Sequence, residues 1–156
     1  MRFWIALAVL WGGAALQQGA SERLAVLGCA PDFLLAAVAP LALSYGRSGG
    51  AVVGFFGGLL HGGLAGANMA QYSASRAIVG FIAAWTGSSI EKLEPLTCLI
   101  HVVCLTVLGR VLFMFMAPPA QIGSYLLATI GVAVYNGVIA LPIYALLRKT
   151  VRKDPL

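Results

Sequence analysis

Long apolar stretches separated by short turns run through the whole of this chain, and they leave little room for any other kind of structure. A helix of about 20 apolar residues crosses a hydrocarbon core, so the 156 residues predict an all-α integral membrane protein with six transmembrane helices in one bundle. We expect a single transmembrane domain over 1–156. Hydropathy and turn residues predict spans at 3–20, 32–46, 50–65, 69–88, 95–116 and 122–147.

The distribution of basic residues predicts the orientation. An even number of spans places both termini on one side, and the turns of that side hold seven Lys and Arg residues against Arg23 alone on the other. By the positive-inside rule both termini lie in the cytoplasm, and we expect a multi-pass protein of the cytoplasmic membrane. The seven are Arg2, Arg47, Lys92, Arg148, Lys149, Arg152 and Lys153.

The net charge of +5 could indicate a nucleic-acid partner. Four of the basic residues, however, directly follow the last apolar run, where anionic lipid headgroups are the expected partner. We therefore predict lipid contacts and no nucleic acid for Arg148, Lys149, Arg152 and Lys153.

The first span has an alternative interpretation as a secretory signal peptide. Arg2, an apolar run and the small residues Gly19, Ala20 and Ser21 follow the pattern of such a leader. Cleavage would leave five spans and put the basic C-terminus on the wrong side of the membrane. The charge distribution therefore favours a retained first helix.

Small residues follow the third and fourth spans at helical spacing. In the third span they are Gly50, Gly54, Gly58, Gly62 and Gly66, and in the fourth they are Ser73, Ala77, Gly80, Ala84 and Gly87. Such faces allow two helix backbones to approach closely. We expect the two spans to pack on each other, and the alternative is a groove that receives a helix of another protein.

Two histidines lie within predicted spans. His61 is displaced about 60° from the glycine face on a helical wheel, which points it toward protein. The expected role of His61 is a hydrogen bond to a neighbouring span, and the alternative is a proton-linked or ligand-contacting role. His101 in the fifth span has the same two interpretations.

Two arginines within predicted spans need a polar contact or an exit to water, because an unpaired guanidinium is costly in a membrane. Arg76 and Arg110 both lie toward the outer ends of their spans, so we expect both to snorkel to the interface. The alternative is an interior polar contact. Asp32 is the candidate partner within the chain on that side.

Prolines and one asparagine mark further positions. Pro31 and Asp32 predict the start of the second helix, with the carboxylate at the positive end of the helix dipole. Asn136 is expected to bond across helices in the middle of the last span. Pro142, six residues later, is expected to kink that helix.

The sequence contains no catalytic motif. It lacks Gly-x-Ser-x-Gly, a Walker loop, His-Glu-x-x-His and paired acids within one span, so we predict no enzyme activity and no cofactor. The histidines have no third ligand at a metal-binding spacing. We interpret Cys29, Cys98 and Cys104 as small apolar fillers.

Several stretches, in this order, resemble the rod-shape-determining membrane protein family MreD of bacteria. They are Leu16-Gln17, Pro31 to Leu35, Gly54-Phe55 through Gly58-Leu59-Leu60, Gly63 to Gly66, Tyr135-Asn136-Gly137-Val138-Ile139-Ala140-Leu141-Pro142-Ile143-Tyr144, and Leu146 to Lys149. The resemblance covers nearly the whole chain. One departure is His61, which stands where the family often has an aspartate.

The resemblance implies a non-enzymatic scaffold of the cell elongation machinery that helps to control peptidoglycan synthesis and rod shape. It implies direct binding of the single-span protein MreC, and through it RodA, a class B penicillin-binding protein and MreB. The family is also similar in fold to substrate-binding subunits of energy-coupling-factor vitamin transporters. A solute-binding transporter subunit is therefore the alternative function, although the sequence offers few polar residues for a pocket.

Overall fold

The computed structural model describes residues 2–26, 28–43, 45–87 and 94–151, and the described part is all-helical. Three of its helices are long and apolar enough to cross a membrane, namely α3, α5 and the stretch Ile122–Leu146 of α6. The helices are α1 (Arg2–Gly19), α2 (Phe33–Ala42), α3 (Gly46–Ala65), α4 (Met69–Gly87), α5 (Pro95–Met116) and α6 (Ile122–Val151).

Helix α2 forms the centre of the molecule. All ten of its residues are buried, as expected for a helix that is apolar on every side. One apolar cluster joins α2 to α4, α5 and α6, and a second joins it to α1 and α3. The helix is shorter than the predicted span 32–46, because it ends at Ala42 and α3 already begins at Gly46.

The α1–α2 connection brings non-helical backbone into the bundle. Residues 20–26 and 28–32 form turns and extended chain, in which Val26 and Cys29 pair next to Gly28. Gly28 has φ 78°, a conformation that favours glycine. This segment places the start of α2 inside the protein rather than at its surface.

The glycines of α3 pack against the backbone of α4. A Cβ on Gly54 would collide with the carbonyl oxygen of Arg76, and one on Gly58 with that of Tyr72. Gly50 and Gly80 exclude a Cβ on each other in the same way. The prediction that these two helices pack together is confirmed, and the alternative of an open glycine groove is wrong because α4 fills it.

Gly66 does not belong to this glycine face. It lies just beyond α3, where its φ of 66° ends the helix in the left-handed conformation. A Cβ there would meet nothing within 4 Å. The four-residue glycine spacing in the sequence therefore extends one glycine farther than the surface of α3 that packs on α4. The role of Gly66 is to end the helix.

The side chains of the four basic C-terminal residues, predicted to contact lipid headgroups, lie outside the described part of the chain. The backbone of α6 includes Arg148 and Lys149, whereas Arg152 and Lys153, like Lys92, lie outside the described residues. Pro142 lies inside α6, which continues past it to Val151.

Candidate functional site: a polar cavity at the start of a buried helix

Asp32 caps the buried N-terminus of α2. Its Oδ1 accepts a hydrogen bond of 2.9 Å from the backbone N–H of Leu35. A carboxylate in this position satisfies one of the free N–H groups of the first turn and faces the positive end of the helix dipole. The predicted helix start at Pro31 and Asp32 is confirmed, with Phe33 as the first helical residue.

Arg76 on α4 forms an ion pair with this cap. Its Nη2 donates a hydrogen bond to Asp32 Oδ2, and the two side chains are 4% and 9% exposed. The prediction that Arg76 snorkels to the interface is wrong, and the alternative of an interior contact with Asp32 holds. The close packing of α3 and α4 turns Arg76 inward, where an acid is within reach.

His61 on α3 completes a group of three ionisable side chains. Its Nδ1 lies 3.3 Å from Asp32 Oδ1 and 3.0 Å from Arg76 Nη2. The imidazole stacks on the Tyr72 ring at 4.3 Å between centroids, and Tyr72 in turn contacts the Phe113 ring at 4.4 Å. The expectation that His61 bonds to a neighbouring helix is confirmed.

Asn136 and Gln17 satisfy further backbone groups at the start of α2. Asn136, fully buried on α6, accepts the N–H of Asp32 at 2.9 Å, and its Nδ2 lies 3.4 Å from Thr106 Oγ1 on α5. Gln17 on α1 accepts the N–H of Phe33 at 2.8 Å. The cross-helix role predicted for Asn136 is confirmed, since it joins three helices.

The side chains of Asp32, Arg76, His61 and Gln17 line a cavity of about 200 Å³. It lies toward the end of the bundle that holds the α3–α4 and α5–α6 turns, opposite the described chain ends. Its polar lining is Gln17, Ser21, Asp32, His61, Tyr72, Arg76, Arg110 and Tyr125, and Leu35, Gly109 and Phe113 contribute apolar walls.

Arg110 enters the same cavity from α5. Its Nε donates a hydrogen bond of 2.9 Å to Thr129 Oγ1 on α6, and its guanidinium lies 4.5 Å from the centroid of the Tyr125 ring. The Tyr125 hydroxyl donates to the backbone carbonyl of Arg110 at 3.1 Å. Arg110 therefore turns toward α6, and the prediction that it snorkels to the interface is wrong.

His101 lies outside this cavity. Its Nε2 is 2.7 Å from Thr86 Oγ1 on α4, so it too bonds to a neighbouring helix. Of the cysteines, Cys98 is buried in the core, Cys29 is half-buried and Cys104 is exposed on α5. Within the described ranges, no group of three or more His, Cys, Asp or Glu side chains is arranged to hold a metal ion.

Several lining residues were not predicted from the sequence. Gln17, Ser21, Tyr72 and Tyr125 carry no motif that predicts a shared site, because each comes from the end of a different predicted helix or turn. One signal was available for Tyr72, which stands four residues before Arg76 and therefore on the same helix face.

A second, apolar cavity of about 460 Å³ lies between α1 and α3. Large side chains that are otherwise exposed surround it, among them Trp11 at 61%, Val52 at 53% and Phe56 at 52% exposure. We refer to it as the α1/α3 groove. Its lining is Ala6, Leu7, Leu10, Trp11, Tyr45, Gly49, Val52, Val53, Phe56, Leu59 and Leu60.

Comparison with protein families, with curated proteins and with solved structures finds no match to this chain.

Proposed function

We propose that this protein is a non-enzymatic, multi-pass membrane scaffold of the MreD type, which binds MreC and helps to control peptidoglycan synthesis and rod shape. Through MreC it would join RodA, a class B penicillin-binding protein and MreB. The sequence resemblance supports the family. The all-helical fold with three helices of membrane-spanning length is compatible with it.

In this proposal the chain crosses the membrane six times. The second crossing is unusual, since the ten residues of α2 extend only about 15 Å, half of a hydrocarbon core. The non-helical segment before Asp32 would complete it, which a membrane protein tolerates where such backbone is buried in protein. Seven Lys and Arg residues at the end that holds the chain termini, against Arg23 at the other, support cytoplasmic termini by the positive-inside rule.

The observation that carries the scaffold proposal is the α1/α3 groove. It is almost wholly apolar, and its rim includes the exposed side chains of Trp11, Val52 and Phe56. A single membrane-spanning helix, such as that of MreC, would bury these side chains by van der Waals packing. The glycine face of α3 is filled by α4 and does not compete for this role.

An affinity purification from native membranes in mild detergent, followed by mass spectrometry of the bound proteins, tests the proposal. We expect MreC together with cell-wall synthases. Recovery of a transmembrane coupling subunit with ATPases would instead identify a transporter subunit.

The polar cavity is the observation that favours this alternative, a solute-binding subunit of the energy-coupling-factor type. Eight polar side chains line it, more than the sequence led us to expect. Its volume of about 200 Å³ is nevertheless below the ~300 Å³ at which pockets for drug-sized molecules begin. A vitamin-like molecule retained by the purified protein would support this second function.

A further inference from the structure

The polar cavity has an excess of positive charge. Asp32, Arg76 and Arg110 line it, and the ion pair of Asp32 with Arg76 leaves the guanidinium of Arg110 without a counter-charge. No other acid among the described residues lines this space. An unbalanced guanidinium inside a membrane protein is costly, so the cavity favours an occupant with one negative charge.

Arg76 also has a hydrogen-bond donor without a partner. Arg76 is 3% exposed, yet its Nε has no hydrogen-bond partner in the described ranges. Arg110 is half-buried and uses its Nε on Thr129. A buried donor without a partner is unfavourable, so the Nε of Arg76 points to an acceptor that is not part of the chain.

We propose that this cavity binds one phosphate group, with Arg76 and Arg110 as its receptors. Guanidinium groups bind phosphate through paired, charge-assisted hydrogen bonds. The two arginines come from different helices, and a tetrahedral phosphate presents oxygens in more directions than a planar carboxylate does. The volume of about 200 Å³ accommodates a phosphate group with a few waters.

The phosphate comes either from a free ion or from the headgroup of a membrane lipid. Both sources present the same chemistry to Arg76 and Arg110. The proposal is independent of partner binding at the α1/α3 groove, which shares no lining residue with the cavity, so either proposal can fail without the other.

The test uses the purified full-length chain in phosphate-free detergent buffer, with thermal unfolding as the readout. One arm adds inorganic phosphate, and the other adds phosphatidylglycerol to micelles that contain phosphatidylcholine. The variants are Arg110→Gln, Arg110→Lys as the charge-conserving variant, and Arg47→Gln as a matched control. Arg47 is exposed and lies over Trp85, outside the cavity.

We expect the wild-type chain and R47Q to be stabilised by at least one of the two probes. R110Q should bind that probe at least about tenfold more weakly, and R110K should retain part of the affinity. Stabilisation by inorganic phosphate identifies the free ion as a source, and stabilisation by phosphatidylglycerol alone identifies the lipid headgroup.

Three results would overturn the proposal. The first is that neither probe stabilises the wild-type chain. The second is that R110Q and the wild type bind the probe with equal affinity, and the third is that R47Q and R110Q lose affinity for the probe to the same extent. Native mass spectrometry of the untreated wild-type protein adds a measurement that needs no variant. A retained phosphorus-containing ligand supports the proposal, and a retained carboxylic acid in its place contradicts it.

Discussion

The two carboxylate oxygens of Asp32 have different partners: Oδ1 accepts the backbone N–H of Leu35, and Oδ2 accepts the guanidinium of Arg76. One side chain therefore both caps the buried helix α2 and joins it to α4. Because α2 contacts each of the other five helices, this residue connects the centre of the bundle to the polar cavity.

Removal of the charge on Asp32 is expected to destabilise the fold strongly. In Asp32→Asn the amide oxygen can still cap Leu35, but Arg76 becomes a buried cation without a counter-charge. The cost of breaking such a pair is about 3–5 kcal/mol. Thermal unfolding in detergent would measure it, with Glu22→Gln as the control, since Glu22 is an exposed acid on the nearby turn.

The double variant D32N/R76Q separates the charge effect from a general loss of packing. It removes both charges together, so we expect it to be more stable than D32N alone. If the double variant were as unstable as the sum of the two single variants, the ion pair would have no energetic coupling and this interpretation would be wrong.

The second prediction concerns Asn136. In Asn136→Leu the buried N–H of Asp32 loses its acceptor, which is expected to cost about 1–3 kcal/mol. Thr106→Val removes only the 3.4 Å contact to the same amide and should cost less than about 1 kcal/mol. A larger loss of stability in T106V than in N136L would contradict the role given to Asn136.

The third prediction uses two glycines of the same helix. A Cβ on Gly54 would collide with the Arg76 carbonyl, whereas one on Gly63 would meet nothing within 4 Å. Gly54→Ala should therefore force α3 and α4 apart at a cost of about 1–3 kcal/mol. Gly63→Ala should be neutral or stabilising by up to about 1 kcal/mol, and equal effects of the two changes would refute the packing argument.

The fourth prediction tests orientation. In a background in which Cys29, Cys98 and Cys104 are replaced, Arg23→Cys should react with a membrane-impermeant maleimide added outside spheroplasts. Arg47→Cys should react only after the membrane is opened. The opposite labelling pattern would place the termini outside the cytoplasm.

The helices could be predicted largely from the sequence, because apolar runs and their interrupting prolines and glycines are local signals. The packing of α3 on α4 followed from the spacing of Gly54 and Gly58. The inward contacts of Arg76 and Arg110 could not be predicted in this way. Whether an arginine snorkels or turns inward depends on where the neighbouring helices lie. Asp32 is a candidate partner from the sequence because the chain has few acids, although the sequence does not show its distance from either arginine.

The cavity itself was beyond sequence reasoning. Gln17, Tyr72 and Tyr125 are far apart along the chain, and each is ordinary for the end of a membrane helix. They meet because α2 begins inside the bundle and leaves space between its N-terminus and the surrounding helices. The hydrophobic pattern of the sequence does not show how deep within the bundle the ten-residue helix α2 begins.

The central proposal, that a membrane-spanning helix of MreC binds in the α1/α3 groove, is tested most directly by a matched pair of variants in the affinity purification. Val52 in the groove and Val134 on α6 are 53% and 54% exposed, so tryptophan at either position adds a similar bulk to the surface. We predict that Val52→Trp loses MreC while Val134→Trp and the wild type retain it. Retention of MreC by V52W, or its absence from the wild-type purification, would contradict the account.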